Sequence, residues 1–383
     1  MRISLLTTEL RPGGAERCLG ELAVGLHRRG DEVRVLSLAP LPAAPHQREV
    51  VDALRGAGIE VVSAGLSGWR RFPSSLAVVG RWLEAGNPEI VQSFLFHANV
   101  ATALALRKRS RRGFNPLFVA GVRVAEPRRG RIWAESFLAR RLDAVVCVSC
   151  GVEDFVRRRW RLDRHTEITS IGNGVRVERF IEGALSSEGQ SAALRAGLGA
   201  QGKLVLFLGR LHEQKGIDLL LTSLPALYAR LPQTRVVIAG EGPLTSQVER
   251  AVKEFGTDRL VRLPWQQNVQ ALYCAADVIL LPSRYEGMPN VLLEAMAACR
   301  PVLAAGVEGV DEILGPSAID QSFPRGDQGS MINKLAGLLE RSDLQSLGAA
   351  NRQRVLEHFT IDAMVAKYRA FYQHLLARAA TKS

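Results

Sequence analysis

Short apolar runs alternate with longer segments of helical periodicity along the chain, and the series occurs twice. In the first half, the strand-like runs are rich in Val, Ile and Leu and bounded by glycine, proline or charge: RISLLTT, EVRVLSL, GIEVVSAG, EIVQSF, PLFVAGV and DAVVCVS. After residue 200 the second series comprises KLVLFLG, RVVIAG, DRLVRLP, ADVILLPS and RPVLAAG. Strands that are apolar throughout, with helical segments between them, predict parallel sheets covered on both faces.

Two such series predict an α/β protein of two doubly wound, Rossmann-like domains facing a central cleft, and 383 residues suffice for two cores. We place the N-terminal domain at residues 1–180 and the C-terminal domain at 181–360, with the polar, glycine-rich segment 182–202 as the join. A last helix, at about 361–383, could pack back on the N-terminal domain. In sheets of this kind, ligands bind beyond the carboxyl ends of the strands.

The composition argues against several classes of protein. The start, MRISLLTTELRPGG, is interrupted by Glu9 and Arg11 too early for a signal peptide. The longest apolar runs fall short of the roughly 18 residues of a membrane helix. Five scattered cysteines argue against a disulfide framework, and the C-x-x-C of Cys147 and Cys150 indicates a strand end entering a helix rather than a metal site. We therefore expect a cytoplasmic protein.

The net charge of +12 is concentrated in the first half of the chain. Residues 1–180 hold 29 Lys and Arg against 18 Asp and Glu, a net of +11. Arginines cluster in RKRSRR (107–112), PRRGR (127–131) and VRRRWR (156–161). These clusters predict either contact with an anionic membrane surface, at its inner face, or an arginine-rich solvated face. No nucleic-acid-binding motif accompanies them, so we expect no nucleic acid partner.

Three glycine-containing stretches follow predicted strands. In LRPGGAER, Gly13 and Gly14 open a helix, whose first amides can bind an anion. In FLGRLHEQKG, Arg210 and Lys215 follow a strand that ends at Gly209, and two cations there suit a diphosphate. In VVIAGEGPL, the glycines at 240 and 242 leave room for a bulky group. Plain turns and surface charges are the alternative explanation for all three stretches.

A fourth stretch, SRYEGMPNVLLEAMA, follows the strand ADVILLPS. Pro289 suits the first position of a helix. The amides expected to lack intrahelical partners there, and to hold an anion, are those of Met288, Asn290, Val291 and Leu292. Glu286 precedes this anion site and Glu294 lies about one turn into the helix, so they can reach hydroxyls on its two sides. A nucleotide-sugar has that layout, with sugar hydroxyls, diphosphate and ribose hydroxyls in sequence.

Together these stretches resemble the retaining glycosyltransferases with the GT-B fold, of the family 4 type, over nearly the whole chain. PGGAER resembles the N-terminal glycine motif of that family, GRLHEQKG its Arg/Lys motif and EGMPNVLLE its E-x(7)-E signature. IGNGVRVERF resembles its interdomain N-G-V-D segment, in which Arg176 here replaces the usual Asp.

The resemblance implies roles for these residues. Glu294 would hold the donor ribose and Glu286 the transferred sugar, and Arg210 and Lys215 would neutralise the diphosphate leaving group. His97, in QSFLFHANVAT, would face the donor sugar, and the base would lie near Trp265 and Gln266. The remaining donor-binding candidates are Gly13, Gly14, Gly209, Gly242, Gly287, Met288, Asn290, Val291 and Leu292.

The implied activity is transfer of a hexosyl group from a nucleoside diphosphate sugar, UDP before GDP, to a glycan, lipid-linked or small-molecule acceptor, with retention of configuration. The N-terminal domain would bind the acceptor and the C-terminal domain the donor. No cofactor and no metal is expected, because the chain lacks a D-x-D dyad and its cations can stabilise the leaving group. Two alternatives keep the same fold: a UDP-sugar 2-epimerase-like isomerase and a non-catalytic nucleotide-sugar-binding protein.

Overall fold

The computed structural model describes residues 1–68, 72–110, 114–126, 130, 142–160, 162, 165–180, 193–199 and 202–381. The chain forms two compact units. The N-terminal unit comprises Met1–Gly174 with Ile361–Ser383, and the C-terminal unit comprises Val175–Thr360. The division falls a few residues before the expected boundary at 180. Most of the expected join, 182–202, lies outside the described residues.

Seven parallel strands form the sheet of the N-terminal unit. They are β1 (Arg2–Thr7), β2 (Glu32–Ser37), β3 (Glu60–Ser63), β4 (Ile90–Phe94), β5 (Leu117–Val122), β6 (Ala144–Cys147) and β7 (Glu167–Ser170). Their spatial order is β3-β2-β1-β4-β5-β6-β7, and every pairing is parallel. The order reverses between β1 and β4, which is the doubly wound arrangement that places ligand sites at the carboxyl ends of the central strands.

Helices cover this sheet. They are α1 (Gly14–Arg28), α2 (Glu49–Gly56), α3 (Phe72–Gly86), α4 (Phe96–Ser110) and α5 (Cys150–Arg159). In α1, the fully buried residues Leu19, Leu22, Ala23 and Leu26 recur at the spacing of one helix face. This apolar stripe packs into the same core as the sheet residues Ile3 and Leu5, and its burial holds the helix on the sheet.

The C-terminal unit has a second parallel sheet. Its strands are β8 (Leu204–Leu208), β9 (Arg235–Ala239), β10 (Leu260–Leu263), β11 (Val278–Leu281), β12 (Val302–Ala305) and β13 (Ser322–Phe323). Their order is β10-β9-β8-β11-β12-β13. The helices that follow are α6 (Ile217–Arg230), α7 (Thr245–Phe255), α8 (Gln270–Ala275), α9 (Asn290–Ala297), α10 (Val310–Leu314), α11 (Ala318–Gln321), α12 (Gln328–Glu340), α13 (Leu344–His358) and α14 (Ile361–Ala380).

The last helix, α14, belongs to the N-terminal unit. Tyr368 and Tyr372 are buried in the core of that unit, and the Tyr372 hydroxyl donates a hydrogen bond of 3.2 Å to Gln92 on β4. Arg369 forms an ion pair of 2.8 Å with the buried Asp31. The chain therefore leaves the first unit after Gly174 and returns to it at Ile361.

The structure confirms the expected fold class, and each strand-like run of the sequence forms a strand. Two strands were not predicted, β7 and β13, and each lies at the edge of its sheet. Glu167–Ser170 has only one aliphatic residue and Ser322–Phe323 only two residues in all, too few for a recognisable apolar run.

A buried polar group lies where α1 begins. Glu16, in the first turn of α1, is 8% exposed, and burial raises the pKa of its carboxyl to about 7. Its own backbone amide and Arg123 favour the charged form, whereas Glu9 opposes it. The unfolded chain, whose Glu16 ionises near 4.5, therefore loses this proton at lower pH than the folded protein.

We expect the free energies of unfolding of the Glu16→Gln variant and the unaltered protein to diverge as pH rises. Below about pH 4.5 the carboxyl is protonated in both states, and above about pH 7 it is charged in both. Between these values the unaltered protein loses stability relative to the variant, by at most roughly 3 kcal/mol at about 1.4 kcal/mol per pH unit. Urea unfolding from pH 4.5 to 8 measures the difference.

The exposed glutamate of β2 provides the matched control, Glu32→Gln. Because the Glu32 side chain is exposed, this variant shows the general effect of replacing one glutamate in the same unit. The same stability difference for Glu16→Gln at pH 5 and pH 8 would contradict a buried carboxyl with a raised pKa.

Candidate active site

Four loops meet at one edge of the C-terminal sheet. They follow β8, β9, β10 and β11, which are adjacent and parallel in the order β10-β9-β8-β11. The carboxyl ends of parallel strands lie at the same edge of a sheet. We call these loops, residues 209–216, 240–244, 264–269 and 282–289, the loop edge. All the candidate residues of the second half of the chain lie on it or in the first turns of α9, which follows it.

The loops after β8 and β9 touch backbone to backbone. A Cβ on Gly240 would overlap the carbonyl oxygen of Gly209, and one on Gly242 would overlap that of Leu211. The amide of Leu211 donates a hydrogen bond of 2.9 Å to the carbonyl of Glu241. The glycines of AGEGP, which we expected to leave room for a ligand, thus also admit the neighbouring loop.

Lys215 and Glu286 form an ion pair on the loop edge. The Lys215 ammonium donates to Glu286 Oε1 at 2.6 Å, and the Ser283 hydroxyl donates to the same oxygen at 2.7 Å. Glu286 is only 5% exposed, so these two donors replace the water that its carboxylate loses on folding. The structure thus brings together two residues that the sequence assigned to the diphosphate and to the sugar.

Arg284 and Gln214 join the loops that carry this pair. The amide of Arg284 donates to the carbonyl of Gln214 at 2.8 Å, and the Gln214 side chain donates to the carbonyl of Tyr285 at 3.2 Å. The Arg284 guanidinium also donates to the carbonyl of Glu213 at 2.5 Å. These bonds fix the turn containing Lys215 against the turn containing Glu286.

The guanidinium of Arg284 also holds the start of α6. Its two terminal nitrogens donate to the two carboxylate oxygens of Asp218, at 2.6 and 2.5 Å. These hydrogen bonds hold the pKa of the Asp218 carboxyl below its ordinary value. Between Lys215 and Asp218, Gly216 has a φ of 68°, and a Cβ there would overlap the carbonyl of Pro282. We call the Arg284–Asp218 pair, with its backbone bonds, the loop clamp.

The loop clamp was not predicted from the sequence. Asp218 follows Lys215 closely in KGID, and Arg284 precedes Glu286 closely in SRYE. A charged residue close to each of the two motifs was therefore a signal in the sequence for an ion pair between the loops. Only the fold shows that these two charges face each other.

The start of α9 differs from expectation in two ways. Pro289 is the residue before the helix, not its first residue. Its carbonyl accepts the amide of Leu292 at 3.0 Å, so the prediction that this amide lacks an intrahelical partner was wrong. The reason is that Asn290 and Val291, the two residues between them, are already helical, so the Pro289 carbonyl and the Leu292 amide close a tight first turn. Asn290 and Val291 occupy the first two helical positions, and their contact with an anion stays a prediction.

The turn before α9 packs against the loop that precedes α10. Gly309 has a φ of 79°, and a Cβ there would overlap the carbonyl of Gly287 and crowd Met288. The amide of Glu286 donates a long hydrogen bond of 3.4 Å to the Glu308 carboxylate. Glu308 and Gly309 were not singled out in the sequence, because no motif marks them.

Glu294 lies in α9 and pairs outside its own helix. Its carboxylate accepts a hydrogen bond of 2.8 Å from the hydroxyl of Tyr273 on α8. Tyr273 is fully buried and meets the ring of Phe180 edge to face, with centroids 5.8 Å apart. The Glu294 carboxylate is therefore held from the α8 side. Tyr273 is a further residue that the sequence did not indicate.

The remaining loop-edge candidates are more exposed. Arg210, directly after Gly209, has an exposed side chain. Trp265, after β10, is 38% exposed, a suitable platform for a flat base. Gln266 donates to the carbonyl of Pro264 at 3.1 Å.

Gly13, Gly14 and His97 lie in the N-terminal unit and form a second group of candidates. They follow β1 and β4, which are neighbours in that sheet. Gly13 precedes α1 and Gly14 is its first residue. A Cβ on Gly13 would overlap the carboxylate of Glu16, so the glycine motif also accommodates that side chain. His97 is exposed in the first turn of α4.

The described residues also bear on metal binding, membrane spans and the cysteines. Within them, no group of three or more His, Cys, Asp or Glu side chains is arranged to hold a metal ion. None of the helices described is long and apolar enough to span a bilayer. Cys147 ends β6 and Cys150 begins α5, as the C-x-x-C spacing predicted, and neither forms a disulfide.

Two sequence families match the chain, one in each half. Residues 12–179 match the family described as Glycosyltransferase Family 4. Residues 202–341 match the family described as Glycosyl transferases group 1. The two matched segments contain every candidate residue named above and confirm the family resemblance.

Characterised relatives align over most of the chain. A phosphatidyl-myo-inositol mannosyltransferase of Mycolicibacterium smegmatis is 27% identical over 369 residues, which cover 94% of this chain and 90% of the relative. A lipopolysaccharide core biosynthesis mannosyltransferase, LpsB, of Rhizobium meliloti is 28% identical, over 66% of this chain and 71% of its own length.

Solved structures of glycosyltransferases share the fold. Anabaena HepE, crystallised with UDP and glucose, superposes with a TM-score of 0.80 at 18% identity, over 98% of this chain and all of that one. Sucrose-phosphate synthase from Thermosynechococcus elongatus superposes with a TM-score of 0.79 at 20% identity, over 99% of this chain and all of that one. The chain thus belongs to the GT-B glycosyltransferases of group 1 and family 4.

Proposed function

We propose that this glycosyltransferase moves a hexosyl group, with mannose the first candidate, from a nucleoside diphosphate sugar to a glycan or lipid-linked acceptor, with retention. The observation that carries the proposal is the Lys215–Glu286 pair, fixed by the loop clamp beside α9. Mannose is suggested by the names of the M. smegmatis and R. meliloti relatives. UDP is put before GDP as the nucleotide, in keeping with the UDP bound to HepE.

The charges of the loop edge suit departure of a diphosphate. When the bond between the anomeric carbon and the phosphate oxygen breaks, its electron pair stays on the phosphate oxygen. Arg210 and Lys215, with the first amides of α9, stabilise that developing charge. Because the loop clamp positions Lys215 before the reaction, little reorganisation is needed at the transition state.

Glu286 acts as a hydroxyl clamp rather than as a nucleophile. Its Oε1 already accepts hydrogen bonds from Lys215 and Ser283, which lowers the nucleophilicity of the carboxylate and fixes its orientation. A fixed carboxylate is well suited to accept hydrogen bonds from sugar hydroxyls. Retention then comes from attack of the acceptor hydroxyl on the face that the diphosphate leaves. Its proton passes to the departing phosphate oxygen. The role of His97 toward the donor sugar stays a prediction from the family resemblance.

Glu294 binds the ribose of the donor, with Tyr273 holding its carboxylate. The exposed indole of Trp265 and the side chain of Gln266 lie by the base. No metal or cofactor is needed in this scheme, since Arg210 and Lys215 supply positive charge at the leaving group.

Contact with an anionic membrane, at the inner face, remains a prediction from the sequence. In the three arginine clusters on which it rests, the arginines at 111, 112, 128, 129, 131 and 161 lie outside the described residues. In the described part, Arg157 pairs with Glu153 at 2.6 Å and Arg158 with Asp154 at 3.6 Å. These pairs offset two of the charges on α5, so the described part of the cluster favours a solvated face.

The function is tested by incubating the full chain with UDP-glucose and with GDP-mannose and identifying the products. Release of the nucleoside diphosphate, with transfer to acceptor or to water, supports the proposal. Formation of an epimeric UDP-sugar would indicate the isomerase, and bound but unchanged donor would indicate the binding protein.

The first prediction concerns the proposed contact between Glu294 and the donor ribose. Glu294→Ala should weaken UDP binding by roughly tenfold to a hundredfold, because one charge-assisted hydrogen bond contributes about 1.5–3 kcal/mol. Tyr273→Phe should weaken it less, since the carboxylate remains but is no longer held. Calorimetry measures both, with the exposed Glu254→Ala of α7 as control. Unchanged UDP affinity in Glu294→Ala would refute the assignment.

The second prediction concerns the loop clamp. Asp218→Asn removes the charge that holds Arg284, so the turn containing Lys215 loosens. UDP should then bind several-fold more weakly while UMP, which lacks the second phosphate, should bind almost unchanged. Glu249→Gln breaks the Arg262–Glu249 pair of 3.1 Å elsewhere in the same unit and is the matched control. An equal loss for UDP and UMP would show that the clamp does not act through the diphosphate.

The third prediction concerns metal. Turnover should be the same with excess EDTA as with added magnesium or manganese, because side-chain cations stabilise the leaving group. Measured release of nucleoside diphosphate tests this. Activity that EDTA abolishes and manganese restores would overturn it.

A further inference from the structure

A cavity of about 220 Å³ lies in the N-terminal unit beside His97. The described residues that line it are Thr8, Ala39, Leu66, Gly68, Phe72 and His97. We call it the His97 cavity. It lies beyond the carboxyl ends of the central strands, where doubly wound sheets bind ligands.

The floor of the His97 cavity is continuous with the sheet. Beyond the end of β2, the amide of Ala39 donates to the carbonyl of Thr8 at 2.9 Å. Beyond the end of β3, the amide of Leu66 donates to the carbonyl of Leu38 at 2.7 Å. The chains after β1, β2 and β3 thus continue the parallel ladder, so Thr8, Ala39 and Leu66 lie side by side on a rigid base.

Two packed helices supply the walls. Phe72 begins α3 and His97 lies in the first turn of α4, and α3 packs on α4. The two rings Phe96 and His97 meet edge to face, with centroids 5.2 Å apart. The residue before α4, Leu95, has a φ of 71°, which costs free energy for a branched side chain. The fold holds this conformation at the turn that sets the position of His97.

The side chains that line the His97 cavity favour apolar ligands over anionic ones. Of the six described lining residues, only His97 is titratable. The hydroxyl oxygen of Thr8 is buried without a hydrogen-bond partner, and the side chains of Ala39, Leu66 and Phe72 are apolar. Burying a phosphate or carboxylate against such a surface is costly, whereas burying hydrocarbon is favourable. For scale, an apolar cavity of about 150 Å³ accommodates benzene, so the His97 cavity has room for a short alkyl chain or an aryl ring.

We propose that the His97 cavity binds an apolar alkyl or aryl group of the acceptor, with the accepting hydroxyl beside the His97 imidazole. The proposal rests on the proposed transferase function and adds to it the chemical class of the acceptor. The acceptor is an amphiphile whose apolar part is recognised next to its reacting hydroxyl, rather than a wholly polar glycan.

The test uses hexyl α-mannoside and methyl α-mannoside as probes, with binding to the full chain measured by calorimetry. Hexyl mannoside should bind roughly tenfold or more tightly than methyl mannoside, because several methylenes leave water. Ala39→Leu places a larger side chain in the floor and should abolish this preference, leaving UDP affinity unchanged.

Ala57→Leu is the matched control, since Ala57 follows α2 in the same unit and is also partly buried. It should keep the preference for the hexyl probe. If thermal denaturation shows that Ala39→Leu is unfolded, Leu66→Phe serves the same purpose. Equal binding of the two probes to the unaltered protein, or a preference that survives in the folded cavity variants, would overturn the proposal.

The two proposals fail separately. UDP binding and turnover without a hexyl preference would leave the transferase and remove the apolar cavity as an acceptor site. A hexyl preference abolished by Ala39→Leu, in a protein that releases no nucleoside diphosphate from any donor, would keep the apolar site and remove the transferase.

Discussion

The Glu286 carboxylate is the charge on which the candidate site depends. It is almost fully buried, and a buried carboxylate without donors would protonate or destabilise the fold. Lys215 and Ser283 supply the donors, and Arg284, held by Asp218, keeps the turn containing Lys215 in reach. The free-energy cost of collecting these charges is met during folding. The site is therefore organised before a donor binds, as electrostatic stabilisation of a leaving group requires.

A buried cation, Arg123, has a comparable place in the N-terminal unit. The Arg123 guanidinium donates to Asn173 and, at 3.5 Å, to the hydroxyl of Tyr368 on α14. Asn173 lies just before the point where the chain leaves the unit, and α14 begins where it returns. Beyond these points Val175 bridges Thr360. One guanidinium thus links the outgoing and returning segments of the chain to the end of β5.

The sequence predicted what depends on local pattern. Continuous apolar runs identified the central strands, because strands buried on both faces have no polar alternation, and motif spacing placed Glu286 and Glu294 around the start of α9. The sequence did not predict contacts between residues that are far apart along the chain. Nothing in KGID or SRYE shows that Asp218 faces Arg284, and nothing near Glu294 indicates the hydroxyl of Tyr273. The bond from Leu292 to the Pro289 carbonyl depends on how tightly the first turn of α9 closes, which the residue types alone do not fix.

The glycines of the loop edge, with Gly309 in the loop before α10, show why these motifs combine flexible residues with charged ones. Gly216, Gly240 and Gly309 each have a positive φ, and a side chain on any of them would overlap the backbone of another loop. Glycine would ordinarily loosen a loop, since it has the most conformational freedom to lose. Here it allows loops to pack at backbone distance, and each loop limits the movement of the next. Lys215 directly precedes one of these contacts and Glu286 lies next to another, which explains how short loops without regular structure hold two charges at a fixed separation.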